Sequence, residues 1–187
     1  MKLNIKENKK LAIFEALSAI AALVAIIGCS FTAYAEGTDV SITMFQLIFG
    51  SSRTDPSFFV LLGFFLLILS VLASLTAAVF CFFEKYYHDL VIMILGIVGG
   101  LSALSGGILV GCAIILTGLD SQNSELGLIQ GNWSLGLADY FVPISALIAL
   151  IFSYPAALIM AHHADLKDRA VKKAQATKNE KKKQTNA

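Results

Sequence analysis

Charge is what this sequence has least of. Charged residues make up 14% of its 187 positions and hydrophobic ones 57%, a balance foreign to soluble domains. Four long blocks are almost free of charge: Leu11–Tyr34, Phe58–Phe82, Leu90–Thr117 and Ala138–Ala161. About 20 helical residues cross a hydrocarbon core of about 30 Å, and every block is longer than that. Cysteine is scarce too. Cys29, Cys81 and Cys112 all fall in or beside the apolar blocks, so neither longer loop carries a stapling disulfide. A Cys29–Cys112 bridge is compatible with depth but not implied by it. No nucleophile–base constellation, phosphate-cradling loop or zinc spacing occurs. Gly99-Gly100 and Gly106-Gly107 lie inside an apolar block rather than after a strand, so they bind no nucleotide. These absences predict no enzyme, cofactor, metal or nucleic-acid partner. They leave an all-α membrane protein, a bundle of four transmembrane helices in the lipid bilayer.

What charge there is has been sorted. Lys2, Lys6, Lys9 and Lys10 precede the first block, Lys85 lies in the second connection, and eight basic residues run from Lys167 to Lys183. The first and third connections hold Arg53 alone, with acidic Glu36, Asp39, Asp55, Asp120, Glu125 and Asp139 in or beside them. The positive-inside rule then predicts a multi-pass protein of the cell membrane with both termini cytoplasmic. Its parts are residues 1–10, a membrane domain over 11–162, and a basic tail over 163–187. The tail is predicted to start helical, through the Asp165–Arg169 and Asp168–Lys172 pairs, and to lose order beyond about Ala176.

Two motifs compete with retention of the first span. Ala33-Tyr34-Ala35 looks like a signal-peptidase site, and Ile26-Ile27-Gly28-Cys29 like a lipobox. The apolar run exceeds the usual leader core of about 7–15 residues and contains Glu15, which favours a retained span.

Span ends are punctuated. Asp55-Pro56 predicts the start of the second helix, and Asp89 and Asp139 are candidate caps for the third and fourth. Pro155 predicts a kink in the fourth. In the first long loop, Val40-Ser41-Ile42-Thr43-Met44 alternates with the period of a half-buried strand, and Trp133-Ser134-Leu135-Gly136-Leu137 repeats this in the second. The two segments could pair as a small extracellular sheet. The competing reading floats Met44–Phe49 and Trp133 at the lipid interface. Asn132-Trp133-Ser134 is also a glycosylation sequon.

Two features stand out as candidate sites. Gly96, Gly100, Ala103, Gly107 and Gly111 fall within about 80° of helical arc, making a smooth stripe in the third block. It serves either a partner or homo-oligomer face or packing within the bundle, the second being the ordinary use. Glu15 is the one formally charged residue well inside a span. It shares a face with Ala12, Ala16, Ala19 and Ala22, so it is predicted to point inward, within reach of Lys85, His88, His162 or His163. A packing and orienting role is expected of it, its charge state left open. Adjacent His162 and His163 diverge by about 100° on a helix, which suits no bidentate metal site. The lysine-rich tail can be drawn to anionic lipids.

Four spans, inward termini, a longer first outer loop with strand-like alternation and a shorter second one resemble the claudin-type tetraspan layout. The first loop lacks the Trp and Cys residues of the claudin motif, so junction formation is not implied. Phe45-Gln46-Leu47-Ile48-Phe49-Gly50, after the alternating segment, is similar to a pattern in small four-span membrane proteins of Gram-positive bacteria. That resemblance implies a bacterial source and a layout rather than chemistry. The function expected is a non-enzymatic scaffold or accessory subunit. The alternative is a small oligomeric channel or transporter for an apolar or weakly polar solute. Its lining would be thin, chiefly Glu15, Ser18, Ser70, Ser74, Thr76, Ser102, Ser105 and Ser145.

Overall fold

The computed structural model describes residues 5–36, 40–51, 56–83, 89–116 and 133–154, with Leu158, Arg169, Val171, Lys172 and Gln175. Four of its helices are long and apolar enough to cross a membrane: α1 (Ile5–Gly28), α3 (Phe58–Phe82), α4 (Asp89–Gly111) and α6 (Leu137–Tyr154). Short elements join them at one end: β1 (Thr32–Glu36), β2 (Val40–Thr43), α2 (Met44–Phe49), α5 (Ala113–Leu116) and β3 (Trp133–Leu135).

Each long helix exposes large apolar side chains at helical spacing. On α1 these are Ile13, Leu17, Ile20, Leu23 and Ile27. In water such a surface would aggregate; in a bilayer it is the lipid face. The opposite face of α1 is narrow and small: Leu11, Glu15, Ser18, Ala22, Ala25 and Cys29 are all fully buried. Small residues let helix backbones approach where lipid supplies no hydrophobic drive.

α3 packs on both α1 and α4. α6 closes the ring, for Ser18 of α1 hydrogen-bonds the Ala149 carbonyl while Pro143 and Ala146 lie against Gly111 and Gly107 of α4. The order around the bundle is therefore α1, α3, α4, α6, with α1 and α4 on a diagonal.

Two boundaries and one cap differ from what the sequence predicts. The first block was expected to stay helical to Tyr34, but α1 stops at Gly28. Amides of Cys29, Ser30 and Phe31 bond back three residues, tightening the last turn, and the chain then enters β1. The third block breaks at Cys112, between α4 and α5. α3 takes Ser57 rather than Asp55 as its N-cap, and the Ser57 side chain makes no capping bond. The predicted kink at Pro155, His162, His163 and the disordered end of the tail lie outside the described residues.

Both alternating loop segments are strands, yet they do not pair with each other. The antiparallel sheet runs β2-β1-β3, so β1 stands between them. Tyr34 faces Ile42 on one side and Leu135 on the other. A register shift between Thr32 and Tyr34 marks a bulge. It leaves the Ala33 carbonyl free to accept the Gly136 amide at 2.8 Å, and the Ala33 side chain is fully buried. Gly136 leads into α6, where Asp139 lies in the first turn rather than at the cap. The Asp139 carboxylate accepts the same Gly136 N–H at 3.1 Å.

Met44–Phe49 is not a floating interfacial segment. α2 is held by a capping box: the Thr43 amide donates to Gln46 Oε1 at 2.8 Å, and the Gln46 amide donates to Thr43 Oγ1 at 3.4 Å. Met44, Leu47 and Ile48 are fully buried, and Gly50 closes the helix with φ 84°. Thr43→Ala is expected to cost about 1 kcal/mol locally, read as faster hydrogen exchange in α2 with the four long helices unchanged.

Candidate functional site

Seven polar residues are buried in the described structure: Glu15 and Ser18 on α1, Ser70 and Ser74 on α3, Ser102 on α4, and Ser145 and Ser153 on α6. Several of them meet in one seam between the helices. Ser18 Oγ donates to the Ala149 carbonyl at 2.9 Å and stands 3.2 Å from Ser74 Oγ, so one side chain ties α1 to both its neighbours. Ser153 Oγ donates to the Gly96 carbonyl at 2.7 Å, tying α6 to α4. Beside these bonds lies Glu15, six residues and therefore about 9 Å inside the apolar span that starts at Lys9.

Glycines of α4 make the room. A methyl group on Gly96 would stand 2.7 Å from Glu15 Oε1, and one on Gly99 would stand 2.6 Å from Ser74 Oγ. Gly100 likewise accommodates Ser153 and Leu150. Among the described residues neither Glu15 oxygen has a hydrogen-bond partner, and Ser70 Oγ has none either. Lys85, His88, His162 and His163, the partners expected for Glu15, lie outside the described residues. The inward orientation of Glu15 is as the alanine pattern implied: Ala12, Ala19 and Ala22 are buried with it, and Ala16 is half-buried.

The small-residue stripe of α4 faces α6 and, at Gly96 and Ala103, α1 as well. Gly96 meets Glu15, Gly100 meets Ser153, Ala103 packs with Ala22 and Ala149, Gly107 meets Ala146, and Gly111 meets Pro143. Its packing lies inside this chain. A second face of α4 escaped the sequence reading: Gly99 and Gly106 turn to α3, where Gly106 crosses Gly63. Ser153 was also missed, though the spacing Ser145, Ala149, Ser153 marks one small, polar face at four-residue intervals. Conversely, Thr76 and Ser105 are exposed and line no interior path. Thr76 Oγ1 donates to its own Leu72 carbonyl at 2.7 Å, which makes a hydroxyl tolerable towards lipid.

Towards the sheet the seam ends. Leu67, Val60, Phe64, Val110, Val142 and Ala146 fill the bundle there and continue without interruption into Ala33, Ile42, Met44, Leu47 and Ile48 of the sheet and α2. Rings of Phe45, Phe49 and Phe64 meet edge-on or stacked at 5.5–6.1 Å and seal one flank.

All three cysteines are free, Cys29 and Cys81 buried and Cys112 half-buried. A small maleimide is therefore expected to label Cys112 first in the native protein and all three after denaturation, read as mass increments on the intact chain. Equal native labelling of Cys29 would contradict the packing under the sheet. Among the described residues, no three His, Cys, Asp or Glu side chains are grouped to hold a metal.

Four helices long and apolar enough to cross a membrane, with large apolar side chains turned outward, mark an integral, multi-pass membrane protein. No family model, curated protein or solved structure matches this chain.

Proposed function

We propose that this protein is a non-enzymatic membrane subunit that scaffolds or accompanies another membrane protein. It works through its sheet-bearing end and the outer faces of its helices. The observation that carries this reading is the continuous apolar core from Leu67 to Met44 and Ile42. In this reading it closes the bundle to solutes and holds the sheet and α2 on the helices as one platform. A loop that only joined spans would have no need of such a foundation. In this reading the charge sorting puts both termini in the cytoplasm of a bacterial cell and the sheet outside the cell membrane. The basic segment 163–187 then meets anionic inner-leaflet lipids, at about 1 kcal/mol per lysine near the surface.

The rival reading, a small channel or transporter, draws on the Glu15–serine seam. That seam reaches only part of the bundle's length before the apolar core begins, which favours the subunit.

A photo-crosslinker placed at exposed Ser41 of β2 and, separately, at lipid-facing Leu72 of α3 tests the reading in native membranes. The expected result is one discrete protein adduct from Ser41, with stoichiometric co-migration of that protein in mild detergent. Only lipid adducts from both positions, together with a monomeric particle, would overturn it.

A further inference from the structure

Ser18 can donate only one hydrogen, and the Ala149 carbonyl, which can only accept, takes it at 2.9 Å. The 3.2 Å contact between Ser18 Oγ and Ser74 Oγ is then a hydrogen bond only if Ser74 donates. Ser74 consequently turns a lone pair, not a hydrogen, to whatever lies on its other side. What lies there is the Glu15 carboxyl, near enough to interact with the Ser74 hydroxyl although neither carboxyl oxygen meets hydrogen-bond geometry. An ionised carboxylate would need Ser74 to swing its hydrogen away from Ser18, leaving two hydroxyl oxygens facing each other with nothing between. It would also sit fully buried against Gly96 and Ser74, with no cation bonded to it among the described residues. A neutral carboxylic acid needs no such rearrangement of Ser74, and a small rotation turns its hydrogen to the free Ser74 lone pair.

We propose that Glu15 is an intramembrane proton-holding site. Its carboxylic O–H points to Ser74, Ser74 to Ser18, and Ser18 to the Ala149 carbonyl. The chain runs one way across three helices and locks α1, α3 and α6 in register. Gly96 and Gly99 serve it by leaving space for Glu15 Oε1 and Ser74 Oγ, at the 2.7 Å and 2.6 Å where a methyl group would stand. Burying a charge inside a bilayer is costly, and a bound proton removes that cost without a counter-ion. Among the described residues, the titratable group coupled to Glu15 is the Cys81 thiol of α3. The occupant is held rather than conducted, because Leu67 and the apolar core block the way towards the sheet.

Infrared spectroscopy of the full chain in lipid bilayers at neutral pH tests this. The expected spectrum contains the carbonyl stretch of a protonated carboxylic acid. Glu15→Gln removes that band, and Ser74→Ala shifts it to higher frequency because the acid loses its acceptor. If Glu15→Gln does not assemble, carbon-13 glutamate labelling of the unaltered chain makes the assignment, since Glu15 is the one glutamate deep within a described span. Three results would overturn the proposal. One is an ionised stretch assigned to Glu15, lost in Glu15→Gln, that moves when sodium is exchanged for potassium, which would make the occupant a metal cation. Another is an ionised stretch assigned to Glu15 in the same way but indifferent to the cation, which would make Glu15 half of an ion pair. The last is a protonated band that Ser74→Ala leaves unmoved.

Discussion

Replacing Gly106 with valine is expected to prevent α3 and α4 from packing, the largest single-residue effect in this bundle. Already the first carbon of a side chain there would lie 2.7 Å from the Gly63 carbonyl oxygen and 3.0 Å from the Leu67 amide nitrogen. Both are backbone atoms of a long helix and cannot step aside as a rotamer can. Overpacking of this kind costs about 1–3 kcal/mol even where side chains can yield, and valine adds two methyl groups beyond the clashing carbon. Alanine at the same position is the milder probe. Its helix propensity exceeds that of glycine by about 1 kcal/mol, so any net loss understates the clash. Gly96→Ala is the internal control for helix packing, because the atom it meets is the free end of the Glu15 side chain. Thermal unfolding in micelles should rank Gly106→Val well below Gly106→Ala, and Gly96→Ala nearest the unaltered protein. Equal midpoints for Gly106→Val and the unaltered chain would mean the two helices do not cross at Gly63.

Gly136→Ala should break a different joint. A methyl group there would run into the Thr32 carbonyl and the Ala33 backbone, the tightest approach of any glycine in the described structure. The Gly136 N–H is also shared between the Ala33 carbonyl and Asp139. Pushing this point away detaches β3 from β1 and forfeits roughly two or three backbone hydrogen bonds, each worth about 1 kcal/mol. Amide exchange in β1 is expected to quicken by about tenfold to a hundredfold, following the conversion of about 1.4 kcal/mol per factor of ten. The helix bundle should keep its unfolding midpoint, since α1, α3, α4 and α6 pack without β3. Unchanged exchange at Tyr34 and Ala35 would refute the central position of β1.

The two joints differ in how far they could be read from residues alone. The helices were plain because block length and lipid-facing apolar stripes are local properties of the chain. β2 and β3 were visible through their alternation. β1 was not, because Thr32-Ala33-Tyr34-Ala35 continues an apolar run and becomes a strand only when Ile42 and Leu135 pair with it from opposite sides. Strand formation there is a tertiary outcome, as sheet preferences commonly are.

The site divides in the same manner. Glu15 stood out as a lone acid on a small-residue face, and the α4 stripe by its spacing. Gly99 and Gly106 were hidden by their neighbours Gly100 and Gly107, since a helix rich in glycine has no single smooth face to detect. The directed hydroxyl chain needed coordinates, because nothing in the sequence brings Ser18, Ser74 and Ala149 together.

A closed interior is the claim on which the rest depends, and flux across liposomes containing the purified protein tests it most directly. Under an imposed proton or potassium gradient, leakage no greater than in protein-free liposomes is expected, for the unaltered chain and for Glu15→Gln alike. Saturable flux that disappears in Glu15→Gln would contradict it, for the seam would then continue through the core that Leu67, Val110 and Val142 fill.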